Sequence, residues 1–248
     1  MSKLLPHTKL LPGSVSTIVL VCGDPARATK ISEFLDEPEL LADYREYRTY
    51  RGGYNGRTVT VCSHGIGSPG AAIAFEELIV AGAKAIIRVG SCGGIRADIQ
   101  AGDLVIATAA VDNTGYGREV APSGFPAVAD VNVIRNLQQA AGERPYHAGL
   151  VLTQDAFYGG IATPFAPDFR LMDQANVLAV EMECAALFII GSLRQVQTGA
   201  VLAVDGNVLH VEEMMGTFNP HTAVVQQATT AAIQIALDAM VRLEDEFG

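Results

Sequence analysis

The chain contains no tryptophan, and aromatic residues make up only 6% of its 248 positions, so few planar side chains are available to stack a ligand. Basic residues are also few: 17 Lys and Arg against 27 Asp and Glu leave a net charge of −10. A nucleic-acid polymer or an anionic membrane binds a basic surface, so neither is expected as a partner. A small anion can still bind wherever two or three arginines converge. Cysteine is sparse, and Cys22, Cys62, Cys92 and Cys184 form no C-x-x-C pair or ligand-like cluster. That speaks against a disulfide framework or a metal site and fits a reducing, cytoplasmic setting. No run reaches the ~18 apolar residues of a membrane helix. After Leu4-Leu5, the stretch Pro6-His7-Thr8-Lys9 ends any signal-like segment. No repeat, low-complexity tract or linker divides the chain, so one domain over residues 1–248 is expected. Hydrophobic residues are 49% of the chain, enough for a substantial core, while the low charged fraction of 18% leaves surface for other subunits to cover.

What is present is a series of short apolar runs, each ending in glycine or charge. Ile18–Val21 reads as a strand that runs through Gly23-Asp24-Pro25-Ala26-Arg27 into a helix, with Asp24 as N-cap and Pro25 in the first turn. Arg27 then reads either as an exposed arginine of an ordinary turn or as an anion ligand at a helix N-terminus. Ala85–Val89 is a second buried strand, interrupted by the single charge of Arg88 and followed by a turn at Gly90-Ser91-Cys92-Gly93-Gly94. Ligands in open α/β sheets bind beyond the carboxyl ends of the strands, so Arg88 is expected to face that crevice as half of a phosphate site. Its alternative is a structural pin.

Other stretches keep two readings. Residues 44–51, Y-R-E-Y-R-T-Y-R, alternate as one strand with a polar face. Thr58–Cys62 precedes H-G-I-G-S-P-G and a helix over 71–81, and Gly65, Gly67 and Gly70 satisfy the dinucleotide pattern G-x-G-x-x-G. The acidic residue that should follow is replaced by Arg88-Val89-Gly90, so close backbone packing is the preferred explanation. Residues 112–130 read as loop. Phe157 and Tyr158, before Gly159-Gly160, read as core and lid or as a platform for a planar base. Glu181 and Glu183 flank Met182 before an apolar helix; one carboxylate can cap the helix, and one can grip a sugar diol. Asp205-Gly206-Asn207 closes another apolar strand, as a plain turn or as a carboxyl at the common strand-end edge.

Together G-D-P-A-R at 23–27, R-V-G-S-C-G at 88–93, E-M-E at 181–183 and V-D-G at 204–206 resemble the hexameric nucleoside phosphorylases. Y-R-E-Y and S-H-G-I-G add to the likeness, which is greatest toward the protozoan purine branch and spans nearly the whole chain. The resemblance implies an α/β fold: a three-layer α/β/α sandwich around a mixed, partly barrel-like central sheet. It also implies a homohexamer built as a trimer of dimers. The reaction implied is phosphorolysis of a nucleoside, with inorganic phosphate as co-substrate and no cofactor or metal. By position, Gly23, Arg27, Arg88 and Ser91 match phosphate ligands. Arg45 matches a phosphate-binding arginine lent by the neighbouring subunit, and His7 a histidine lent to the sugar. Met182 and Glu183 match ribose contacts, and Phe157, Tyr158 and Glu181 border the base. Asp205 matches the acid that protonates a purine at N7, which would require a raised pKa. Arg88 and Asp205 are thus the expected catalytic pair. Residues 159–163 lack the glutamine and arginine with which uridine phosphorylases read uracil, which favours purines. Residues 206–225 hold no Lys or Arg, which favours 6-oxopurines over adenosine; Asn207 and His210 are the candidate substitutes for the missing arginine.

Overall fold

The computed structural model describes residues 3–209 and 219–244. In chain order its elements are β1 (Ile18–Cys22), α1 (Pro25–Ser32), β2 (Asp36–Tyr44), β3 (Tyr47–Tyr54), β4 (Arg57–Ser63), α2 (Ser68–Ala81), β5 (Ala85–Gly94) and β6 (Leu104–Asn113). They continue with α3 (Gly115–Val120), β7 (Ala127–Val128), α4 (Val131–Ala141), β8 (His147–Gln154), α5 (Phe169–Gln174), β9 (Ala179–Glu181), α6 (Cys184–Arg194), β10 (Gln197–Asn207) and α7 (Ala223–Glu244). Every residue of β1 is buried. Its alternate side chains serve two cores: Val19 and Val21 pack toward α2 and α6, while Ile18, Leu20 and Cys22 pack toward α1, α4 and α7. The sheet is therefore the middle of three layers.

The strands pair in the order β10-β6-β8-β9-β5-β1-β4-β3-β2, and β10 also pairs with β5. That second pairing closes β10, β6, β8, β9 and β5 into a ring, and β1, β4, β3 and β2 extend from it as an open arm. Pairing is mixed: β5 runs parallel to β1 and β10, whereas β10 and β6 are antiparallel. The expected α/β/α sandwich around a partly barrel-like sheet is the architecture found.

Several local expectations are corrected. Residues 44–51 are not one strand: β2 and β3 form an antiparallel hairpin, and Arg45 sits in its turn with φ +56°. The glycines after Val89 do not turn; β5 continues to Gly94 because β10 pairs with it through Gly206 and Asn207. Asp205 is likewise not in a turn, since β10 runs to Asn207 with a register irregularity between Val204 and Gly206. The extra residue of such a bulge redirects a side chain without ending the ladder. The stretch read as loop over 112–130 contains α3 and β7.

Candidate active site

Arg88 lies inside β5, with its side chain only 4% exposed. Its guanidinium folds back over Gly90, where any Cβ would collide with it, so glycine is required there by space. Nη2 donates to Glu181 at 3.2 Å and also to Glu183. Burial opposes the guanidinium charge, but the two carboxylates more than restore it. Its Nε and Nη1 are buried and have no hydrogen-bond partner among the described residues. Arg88 is thus both pin and open donor.

The two glutamates do different work. Glu181 accepts from Thr153 Oγ1 at 2.5 Å, from the Glu183 amide at 2.8 Å and from the Cys184 amide at 2.9 Å, and so caps the start of α6. Glu183 accepts from the Gly67 amide at 2.6 Å, at the N-terminus of α2. Burial pushes its carboxyl up, yet Arg88 beside it wins and holds the pKa below the ordinary range. Ser68 Oγ donates to the Met182 carbonyl at 2.9 Å, which ties E-M-E to α2 a second time. The glycines that mimic a dinucleotide loop therefore receive a carboxylate of the same chain at the helix end where a pyrophosphate would sit.

Beside this cluster the end of β1 and the residues after β4 run together: the His64 amide donates to the Cys22 carbonyl at 2.8 Å and the Gly65 amide to Gly23 at 2.9 Å. Gly23 is close-packed, since a Cβ there would stand 3.2 Å from the Gly65 carbonyl oxygen and 3.9 Å from His64 Cε1. Arg27 follows in the first turn of α1, where Asp24 caps by accepting from the Ala26 amide at 2.8 Å. Arg27 makes no hydrogen bond or ion pair with a described residue but acts electrostatically on both Cys22 and His64. Ser91 is on β5 opposite Ala203 of β10. The structure thus brings Gly23, Arg27, Arg88, Glu181 and Glu183 around one region, with Ser91 further along β5.

The other matched residues lie on different elements and loops. Arg45 is exposed at the hairpin tip, its guanidinium 5.6 Å from the Tyr44 ring centre. His7 is 43% exposed at the side chain, and its Nδ1 is 2.8 Å from Glu77. Phe157 and Tyr158 are 56% and 61% exposed, in edge-to-face contact at 5.0 Å. Asp205 acts electrostatically on Cys92 across the β10–β5 pairing. Asn207 is not available as a base contact. Its Nδ2 donates to the Arg96 and Ile99 carbonyls at 2.7 and 2.8 Å, and its Oδ1 accepts from Leu209. His210 lies outside the described residues. All four cysteines are buried and unpaired, and burial pushes the Cys22 and Cys62 thiols up to about 12, so they serve as packing rather than as nucleophiles.

Sequence reasoning missed Glu77, Thr153 and His64. Only His64 left a signal, a polar residue closing the apolar run of β4.

The protein-family model described as Phosphorylase superfamily matches residues 17–242. The chain belongs to that superfamily. Its fold superposes on the crystal structure of purine nucleoside phosphorylase from Toxoplasma gondii in complex with immucillin-H with a TM-score of 0.93. The identity is 33%, covering 99% of this chain and 98% of that one. The purine nucleoside phosphorylase of Plasmodium falciparum is 38% identical over an alignment of 252 positions that covers 100% of this chain and 100% of that one. The uridine phosphorylase of Treponema pallidum is 40% identical over 243 residues, 94% of this chain and 92% of that one. As a member of this superfamily the phosphorylase is an enzyme of the pentosyltransferase kind.

Proposed function

We propose that this phosphorylase cleaves 6-oxopurine nucleosides such as inosine and guanosine, with inorganic phosphate, to free base and pentose 1-phosphate. The observation that carries the reading is Arg88: two of its N–H-bearing nitrogens are buried without a partner among the described residues, while the third is fixed by Glu181 and Glu183. Buried donors of this kind are costly unless an oxyanion meets them. Phosphate bound there by Gly23, Arg27, Arg88 and Ser91, with Arg45 from a neighbouring subunit, stabilises the positive charge that develops on the sugar and then captures the anomeric carbon. Glu183 and Met182 hold the sugar, helped by His7 of a neighbour. Phe157 and Tyr158 cover the base, and Asp205 gives N7 the proton that lets a purine leave. Sharing of sites between neighbours requires at least a dimer; the assembly proposed is a homohexamer, and the compartment proposed is the cytoplasm.

Purine over pyrimidine is supported by Asp205 and by the absence of glutamine and arginine from residues 159–163. A second reading, uridine phosphorolysis, draws on the 40% identity to the Treponema enzyme. Parallel assays with inosine, guanosine, adenosine and uridine, each with and without phosphate, decide between them. Phosphate-dependent cleavage of inosine and guanosine is expected. Cleavage of uridine in preference to both would replace the reading with the second one, and cleavage without phosphate would make the enzyme a hydrolase.

A further inference from the structure

We propose that His64 selects the protonated form of the oxyanion, accepting through Nε2 a hydrogen bond from the hydroxyl of hydrogen phosphate and so separating phosphate from sulfate. The inference rests on the phosphorolytic reading and adds to it a residue that sets anion specificity.

His64 is fully buried at the end of β4, alongside Gly23. Its Nδ1 stands 2.9 Å from the Gly65 carbonyl oxygen. A carbonyl can only accept, so Nδ1 carries the proton and Nε2 presents a lone pair. The ring is held edge-to-face on Phe75 with centres 5.4 Å apart, which fixes where that lone pair points. Nε2 is buried and has no partner among the described residues. The neighbouring Cε1 is the atom that faces Gly23, 3.9 Å from where its Cβ would be. Burial draws the imidazole down to about 4; Glu183 pulls it up, and Arg88 and Arg27 push it further down. At neutral pH the ring is therefore an acceptor set among the groups that would hold phosphate.

An acceptor in a site otherwise lined by donors is repelled by a fully deprotonated anion and satisfied only by one that brings a proton. Hydrogen phosphate offers both, oxygens toward Arg27 and Arg88 and one O–H toward His64. Sulfate at neutral pH has the oxygens and no O–H. Arsenate, which keeps a hydroxyl as phosphate does, would be accepted.

The test is titration calorimetry of the intact protein with inorganic phosphate, sulfate and monofluorophosphate at constant ionic strength. Monofluorophosphate keeps the charge and shape of hydrogen phosphate with fluorine in place of the hydroxyl. It is expected to bind the wild-type protein as weakly as sulfate does. His64→Asn keeps a donor for the Gly65 carbonyl but removes the Nε2 acceptor; its phosphate-to-sulfate ratio should fall roughly ten- to hundredfold. His64→Gln, with an oxygen at the distance of Nε2, should recover much of that ratio. A purely structural role would weaken both anions together and leave the ratio unchanged, which overturns the proposal. Equal binding of phosphate and monofluorophosphate by the wild-type protein overturns it without any variant, and leaves phosphorolysis standing if cleavage still requires phosphate. A wild-type protein that binds no phosphate overturns the anion site and the phosphorolytic reading together.

Discussion

Single side chains here act through what they are denied as much as through what they contact. Asp205 sits where β10 bulges, between Val204, which is fully buried, and Gly206. On the proposed reading it protonates the purine, and Asp205→Ala should slow inosine phosphorolysis roughly a hundred- to ten-thousandfold. A nucleoside already methylated at N7 carries the charge that protonation supplies, so on 7-methylinosine the same variant should keep much of its rate. Equal loss on both substrates would make Asp205 a structural element of the bulge. His64 yields a prediction about stability instead. Its folded pKa, drawn from 6.5 to about 4 by burial, means that below pH 6.5 the unfolded chain takes a proton the native state refuses. Stability is therefore highest above that value and falls with acid until the native ring also titrates, a loss on the order of 3 kcal/mol. Urea denaturation across this window should show a flatter acid dependence for His64→Asn than for the wild type. A further fall at lower pH comes from depressed carboxyls such as Glu183, Glu77 and Asp98, which lose their partners only when protonated. An unchanged slope in the variant would mean that the ring is not held neutral.

At the scale of elements, α2 is the fastener. Its N-terminus receives Glu183 through Gly67, and Glu77 in its body accepts from the amides of His7 and Thr8, from Thr8 Oγ1 at 2.7 Å and from His7 Nδ1. Glu77→Ala should release the N-terminal segment at a cost of about 2 kcal/mol, by loss of hydrogen bonds to a charged group, and lower Tm. If His7 serves a nucleoside site, the KM for nucleoside should rise while the KM for phosphate stays; a rise in both would instead point to general loosening. This helix also shows what a sequence can and cannot reveal. β1, β4, the start of β5 and most of β10 were legible because their apolar runs are buried on both faces. The hairpin arm β2 was not, since D-E-P-E-L-L-A-D-Y is largely exposed and contains a proline, and so has no buried face to write a pattern. The extension of β5 through G-S-C-G-G was hidden because glycines read as turn, and only pairing with a distant strand keeps them extended. Arg88 and Glu183 were legible as charges set against apolar runs. Glu77 and Thr153 were not, because their partners lie 69 and 28 residues away along the chain.

Two matched residues lie at exposed positions of the whole molecule. Arg45 stands at the exposed tip of the β2–β3 hairpin, and His7 is turned outward with 43% of its side chain exposed while Glu77 holds its base. Asp205, by contrast, is on the closed ring of strands that also carries Arg88. If His7 completes the site of a neighbour, an isologous pair of subunits contains two sites, each drawing His7 from one chain and Asp205 from the other. His7→Ala and Asp205→Ala are then each defective alone. In a mixed pair, the His7→Ala subunit keeps Asp205 and receives an intact His7, so one site is whole and the other doubly broken. Random reassembly makes half the pairs mixed, and total activity should recover to about a quarter of wild type. The two variants must first be dissociated and refolded together, with mixed assemblies confirmed by native mass spectrometry using subunits of different mass. Recovery well above the sum of the separate variants requires that the site be shared. Confirmed mixed assemblies with no recovery would show that His7 and Asp205 serve the same chain's site, and would overturn the loan of His7 from a neighbour.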